Sequence, residues 1–195
     1  TLDYLNAALE RYRDEDRVMH VSSFMYPVRV ALPETFFYRE ATCSGGWATW
    51  ARAWRHFEPD GRRIRDAALA RGARDEFNVG AMDFLGMLER QIAGQVDSWA
   101  IRWYGSLWLR GGLALHPGRS LVRNTGFDGS GENSGVSDEW NTVLRTDPVT
   151  QFPARVAEEP AAANAVADWR HGLGRWRRLA SLQQAWRRWL GRLAG

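Results

Sequence analysis

The chain contains no lysine: all 26 of its basic side chains are arginine. An arginine-only complement points first to coding bias and says little about binding. It has one cysteine, Cys43, so no intrachain disulfide can form and a reducing compartment is expected. No run of about 18 apolar residues occurs, which excludes a membrane-spanning helix from these residues. Residues 1–20 have neither the basic start nor the apolar stretch of a signal peptide. The expectation is therefore a cytoplasmic protein. Histidine is also scarce, and His20, His56, His116 and His171 form no His-x-x-x-His pattern, so no intrinsic zinc site is expected and each reads as a satisfied structural residue.

What is present describes one ordinary core. The 195 residues are 45% hydrophobic and 25% charged, outside the range of disordered chains. Net charge is +3, and outside the C-terminal segment arginines and acids are intermixed, so no phosphate-tracking stripe forms and no nucleic-acid partner is expected. Eleven tryptophans stand out. An indole joins a large apolar face to one N–H donor, which suits cores and also sugar-stacking platforms.

Hydrophobic periodicity divides the chain into helices and a few strands. Leu2, Leu5, Ala8, Leu9 and Tyr12 predict a helix that begins at Thr1 without a capping segment, and the expectation is that the sequence is a piece of a longer chain. Residues 18–26 read as a buried strand stopped by Pro27, followed by the apolar run Phe36, Phe37 and Tyr38 and a tight turn at Ser44-Gly45-Gly46. Trp50, Ala53, Trp54 and Phe57 predict a core helix over 47–57; further helices are expected over 62–71 and 77–92. Asp97 or Ser98 can cap the next helix, where Trp99, Trp103 and Leu107 line one side and Ile101, Tyr104 and Trp108 an adjacent one. Two short strands are expected at 113–116 and 121–124, then a long Gly/Ser/Asn/Asp loop over 125–151 and helices from Pro153 onward. The fold class is α/β or α+β.

Three segments carry candidate chemistry. Asp97-Ser-Trp-Ala-Ile-Arg-Trp103 places a carboxylate and two indoles at the mouth of an amphipathic segment, ahead of the apolar run at 113–116 and the loop Asn124-Thr-Gly-Phe-Asp-Gly-Ser-Gly131. Together they read as an acceptor pocket, because sugar C–H faces stack on rings while sugar hydroxyls bond to acids and amides. For Asp97 a helix cap competes with a general base. Asp128 and Glu132 could hold a hard cation through oxygen, against the alternative of a solvated loop. The glycine loop has neither the Lys-Ser/Thr ending of a Walker loop nor dinucleotide-fingerprint spacing.

Taken in order, Glu34-Thr-Phe-Phe37, Gly46-Trp-Ala-Thr-Trp50, Trp54, Phe57-Glu-Pro-Asp-Gly61, Asp97 to Trp103, Pro117, Ser120-Leu-Val122 and Asn124 to Gly131 resemble the acceptor-side half of bacterial family 2 glycosyltransferases. The resemblance runs from Thr1 to about Gly135. It implies the C-terminal part of a GT-A fold, with residues 1–152 as the acceptor-side portion, a basic Trp-rich helical tail over 153–195 and a donor-binding half upstream. It also implies an inverting, hexosyltransferase-type enzyme that moves a sugar from a nucleotide-sugar donor to a saccharide or lipid-linked acceptor in cell-envelope polysaccharide synthesis. Asp97 matches the family's catalytic base, and Gly46, Trp47, Ser98, Trp99, Trp103, Asn124 and Asp128 fall in its substrate-binding segments. A divalent metal, Mn or Mg, is implied, held mainly by an upstream Asp-rich motif, with Glu132 as a ligand within this chain. Two positions depart from the pattern: Gly45 stands where relatives tend to have Trp, and Asn133 where they have His.

The C-terminal segment 169–195 holds seven arginines and no acid, interleaved with Trp169, Trp176, Trp186 and Trp189. Such a helix can lie on the inner face of an anionic membrane or pack its indoles on the domain. A non-catalytic membrane-surface, carbohydrate-binding or scaffold domain is the alternative to the transferase.

Overall fold

The computed structural model describes residues 1–43, 45–79, 82–126, 129 and 136–172. They form a mixed α/β fold around a four-stranded sheet. In chain order the elements are α1 (Leu2–Arg11), β1 (Val18–Ser22), β2 (Thr35–Tyr38), β3 (Trp47–Ala48), α2 (Ala51–Trp54), α3 (Gly61–Ala70), α4 (Arg74–Phe77), α5 (Phe84–Ile92), α6 (Trp99–Arg110) and β4 (Leu113–Pro117). A further helix, α7, covers residues 160–172. The sheet order is β2-β4-β1-β3, with β1 and β4 parallel and both outer pairs antiparallel.

The central strands are buried on both faces, which explains why they read as continuous apolar runs rather than alternating ones. Side chains still alternate between two cores. Phe37, Leu113 and Leu115 point to the side where α1 lays Tyr4, Leu5 and Ala8. Phe36 and Tyr38 point to the other, where α3, α5, α6 and α7 supply Ile64, Leu85, Tyr104 and Val166. Helix α6 buries Ile101, Trp103, Tyr104, Leu107 and Trp108, covering most of its circumference. It ends at Gly111, whose φ of 62° is left-handed, so the chain turns at once into β4.

Four sequence expectations are corrected. The strand expected over 18–26 ends at Ser22. The helix expected over 47–57 is confined to Ala51–Trp54, because Trp47 and Ala48 pair with Ser22 and Val21 at the edge of β1 and Trp50 is left at the N-cap. Trp50 consequently turns to the opposite core, where its indole donates to the Leu9 carbonyl at 2.9 Å. The helix expected over 77–92 is two helices: Asn78 leaves helical geometry and accepts from Leu85 N, while Asp83 caps α5 by accepting from Gly86 N. Residues 121–124 form no strand. Leu121 N donates to Ser23 O at 2.9 Å and Met25 N to Ser120 Oγ at 3.1 Å, but no ladder follows, and Asn124 turns back to accept from Gly126 N.

The described part of the C-terminal region is built into the core. Glu158 bridges to Phe37 at the edge of β2 and ion-pairs Arg39 at 2.6 Å; Ala162, Val166 and Arg170 of α7 are buried. Residues 173–195, most of the expected basic tail, lie outside the described residues. Among the described residues no helix is long and apolar enough to cross a membrane.

Candidate functional site

Open α/β sheets bind ligands outside the carboxyl ends of their parallel strands, where loops and helix starts converge. Here that edge lies beyond Ser22 and Pro117. Trp47 reaches it because β3 pairs Trp47 with Ser22, and Trp99 reaches it because α6 begins there before running back to feed β4. The Trp47 and Trp99 rings are 5.4 Å apart. Trp54 lies 6.2 Å from each and 4.9 Å from Trp103, and it stacks on Phe57 at 4.9 Å. The result is a continuous aromatic wall. Trp103 at its base is 0% exposed, whereas Trp54 and Trp99 are 40% and 41% exposed. A buried ring is accounted for by the core; two neighbouring half-open indoles present an apolar platform to solvent.

A buried histidine fixes this wall from below. The Trp103 indole can only donate, and it does so to His20 Nδ1 at 3.1 Å. His20 therefore carries its proton on Nε2 and donates it to the Thr42 carbonyl at 3.2 Å. The same imidazole stacks on Trp47 at 5.3 Å with an interplanar angle of 14°. Burial lowers its pKa to about 3, reinforced by the nearby His116, so it is neutral at physiological pH and serves as a rigid strut.

The turn before Trp47 is shaped by glycine. Gly45 and Gly46 have φ of 71° and 132°, and a Cβ on Gly45 would lie 2.8 Å from Val122 Cγ2. The space a larger residue would need is occupied by Val122. Gly46 O accepts from Ser23 N at 3.0 Å, and the Ser23 hydroxyl is buried with no hydrogen-bond partner among the described residues.

The helix-cap question at Asp97 is settled in favour of its neighbour. Ser98 Oγ accepts from Ile101 N at 3.4 Å and is the N-cap of α6. Asp97 is exposed and makes no hydrogen bond or ion pair with another described residue. Its carboxylate is thus available at the start of the helix that carries Trp99 and Trp103.

Of the residues singled out in the sequence, Gly46, Trp47, Ser98, Trp99 and Trp103 come together with Asp97 at this edge. Asn124 stands two residues beyond Val122, half-buried in its own turn. Asp128, Glu132 and Asn133 lie outside the described residues. Among the described residues no three His, Cys, Asp or Glu side chains gather as a metal centre requires. Sequence reasoning placed Trp54 and Phe57 on a core helix and missed their part in the wall. Nothing in the sequence marked His20, because its partners Thr42, Trp47 and Trp103 are distant along the chain.

A second polar cluster was also missed. Arg170 of α7 is 2% exposed and Glu40 is 4% exposed. The Arg170 guanidinium donates to both Glu40 carboxylate oxygens at 2.8 Å, to Tyr26 Oη at 2.7 Å and to the Val79 carbonyl at 3.2 Å. Tyr26 Oη donates to Glu40 Oε1 at 2.6 Å. His116 Nε2 donates to the Glu40 carbonyl at 2.8 Å, and burial lowers its pKa as it does for His20. This network clamps α7 to the sheet, with Arg170 Nε and His116 Nδ1 left without a partner among the described residues.

No family model matches this chain, and no curated protein or solved structure matches it either.

Proposed function

We propose that this chain provides the acceptor side of an inverting glycosyltransferase with a GT-A-type fold, acting on a nucleotide-sugar donor and a saccharide or lipid-linked acceptor. The observation that carries this reading is the uncapped, exposed carboxylate of Asp97 at the head of the helix that bears the half-open Trp99. Indole faces take the C–H faces of a pyranose, and a free carboxylate beside them meets the requirement for a base within reach of an acceptor hydroxyl. In the proposed step Asp97 removes the hydroxyl proton as the acceptor oxygen attacks the anomeric carbon. The bond from that carbon to the donor's phosphate oxygen breaks, and the nucleoside diphosphate departs with the bonding electrons.

The divalent Mn or Mg that the resemblance implies would be held mainly by an Asp-rich motif upstream and would stabilise the departing diphosphate; no ligand cluster for it gathers among the described residues. Contact of the basic segment 169–195 with the inner membrane surface, made beyond the core-packed Trp169 and Arg170, would suit a lipid-linked acceptor.

Release of nucleoside diphosphate from a panel of nucleotide sugars by the complete protein, including the donor-binding half expected upstream, with and without acceptor oligosaccharides, tests the reading; this chain alone is expected to be inactive. The Asp97→Asn variant is expected to lose acceptor-dependent release and keep saccharide binding; undiminished turnover would remove Asp97 from the chemistry. A second reading, a carbohydrate-binding domain without catalysis, is favoured by the Trp54 and Trp99 platform taken alone. It predicts saccharide binding that needs Trp99, with no release from any donor.

A further inference from the structure

The end of α6 opposite the aromatic wall borders a cleft of about 320 Å³ that the transferase reading leaves without a role. Arg17, Arg52, Arg55 and Arg110 line it, together with His56 and one acid, Asp16. These guanidinium groups come from the residue before β1, from α2 and its C-cap, and from the last residue of α6. None of them is within ion-pair distance of a carboxylate among the described residues, whereas Arg13, Arg39, Arg63, Arg65, Arg145 and Arg170 each are.

Their charge is held in place by neutral partners. Arg52 donates to the Arg13 and Tyr12 carbonyls and lies 4.4 Å over the Trp50 ring. Arg17 donates to the Val156 carbonyl at 3.1 Å. Asp16, Glu15 and Asp14, in that order of strength, act on Arg52 from the preceding turn without pairing to it. A carbonyl or an indole orients a guanidinium but leaves its positive charge in the cleft. The pKa of His56 is lowered first by desolvation and then by Arg110 and Arg55, consistent with a positive local field.

The geometry points to a binding site for a phosphoryl anion in this cleft, of the kind carried by a diphosphate compound or a phospholipid headgroup. Guanidinium forks match phosphoryl oxygens in pairs, and Arg17 and Arg52, already oriented in the free protein, lose little freedom on binding. A twelve-residue helix spans roughly 18 Å. An occupant here would leave Trp99, at the far end of α6, open to a sugar, while Trp54 of the wall sits between the cleft-lining Ala53 and Arg55; the inference stands whether or not the transferase reading does.

Isothermal titration of the full chain with inorganic pyrophosphate tests it, comparing the unsubstituted protein with an Arg55→Gln, Arg110→Gln double variant. Both side chains are exposed, and among the described residues they make one hydrogen bond, from Arg55 to neighbouring His56, so an unchanged circular dichroism spectrum is expected. Binding that weakens as salt rises, and at least about tenfold in the double variant, is the expected result. No binding by the unsubstituted chain, or equal affinity in the two proteins, would overturn the site. Flotation on phosphatidylglycerol against phosphatidylcholine vesicles then separates the sources. If the double variant loses both pyrophosphate binding and flotation on phosphatidylglycerol, the ligand is a lipid headgroup; if it loses pyrophosphate binding alone, the ligand is a free phosphoryl compound.

Discussion

Two aromatic assemblies around the sheet are built from similar residues and have opposite characters. Around Arg170, the rings of Tyr26, Trp140 and Trp169 pack within 5.0–5.8 Å of one another and enclose an ion pair whose carboxylate is fully occupied. Around Trp103, rings at similar spacing end in two half-open indoles beside a carboxylate with no described partner. The contrast separates holding from binding. A network that satisfies its own charges has nothing to offer a ligand, whereas an open apolar face beside an unspent acid does.

Breaking the closed assembly is expected to have the largest effect. Glu40→Ala would leave Arg170 buried without a counter-charge, and a loss of about 3–5 kcal/mol is expected in urea unfolding. A loss below about 1 kcal/mol would mean that α7 is not clamped as described.

Acid tests both assemblies through their histidines. His20, lowered to about 3, and His116, also lowered, stay neutral in the folded protein while the unfolded chain takes up protons near pH 6.5. The unfolded state therefore binds more protons as pH falls through this window. Stability is expected to be fully present above pH 6.5 and to decline progressively toward pH 3, read as a falling urea midpoint. A midpoint that does not move between pH 7.5 and 5 would contradict the buried neutral imidazoles.

Within the open assembly, Trp103→Phe keeps a ring and deletes the donor to His20. Leaving Nδ1 unpaired in the core is expected to cost about 1–3 kcal/mol. It should also loosen saccharide binding, since His20 supports Trp47; unchanged affinity would show that the strut does not act on the platform. Trp99→Ala removes a half-exposed ring and is expected to weaken saccharide binding about tenfold, some 1.4 kcal/mol, in a glycan titration. The smallest change in stability is expected for Asp97→Asn, within about 0.5 kcal/mol by thermal unfolding, because Ser98 makes the cap. A loss as large as that of Ser98→Ala, about 1 kcal/mol, would return Asp97 to a capping role.

Much of the framework was legible. Helix α6 announced itself through a cap at Asp97 or Ser98 and its indole spacing, and β4 through the apolar run at 113–116. The errors have a common cause. Residues 47–57 carry a helical pattern, yet the open edge of β1 claimed Trp47 and Ala48, since unpaired strand backbone outweighs a weak local preference. Residues 121–124 read as a strand by composition, but Leu121 and Ser120 spend their hydrogen bonds on Ser23 and Met25 and no continuous partner remains.

Local chemistry sufficed to specify α1, α3, α6, β4 and the segment carrying Asp97 and Trp99, because periodicity, capping and burial demand are written within a dozen residues. Tertiary structure decided which indoles face solvent, which of Asp97 and Ser98 caps α6, and which arginines find a carboxylate. Those outcomes depend on residues far apart in the chain, as with His20 between Thr42, Trp47 and Trp103, or Glu40 beneath Arg170. Contacts between distant segments are set by how the elements stack, which no local pattern encodes.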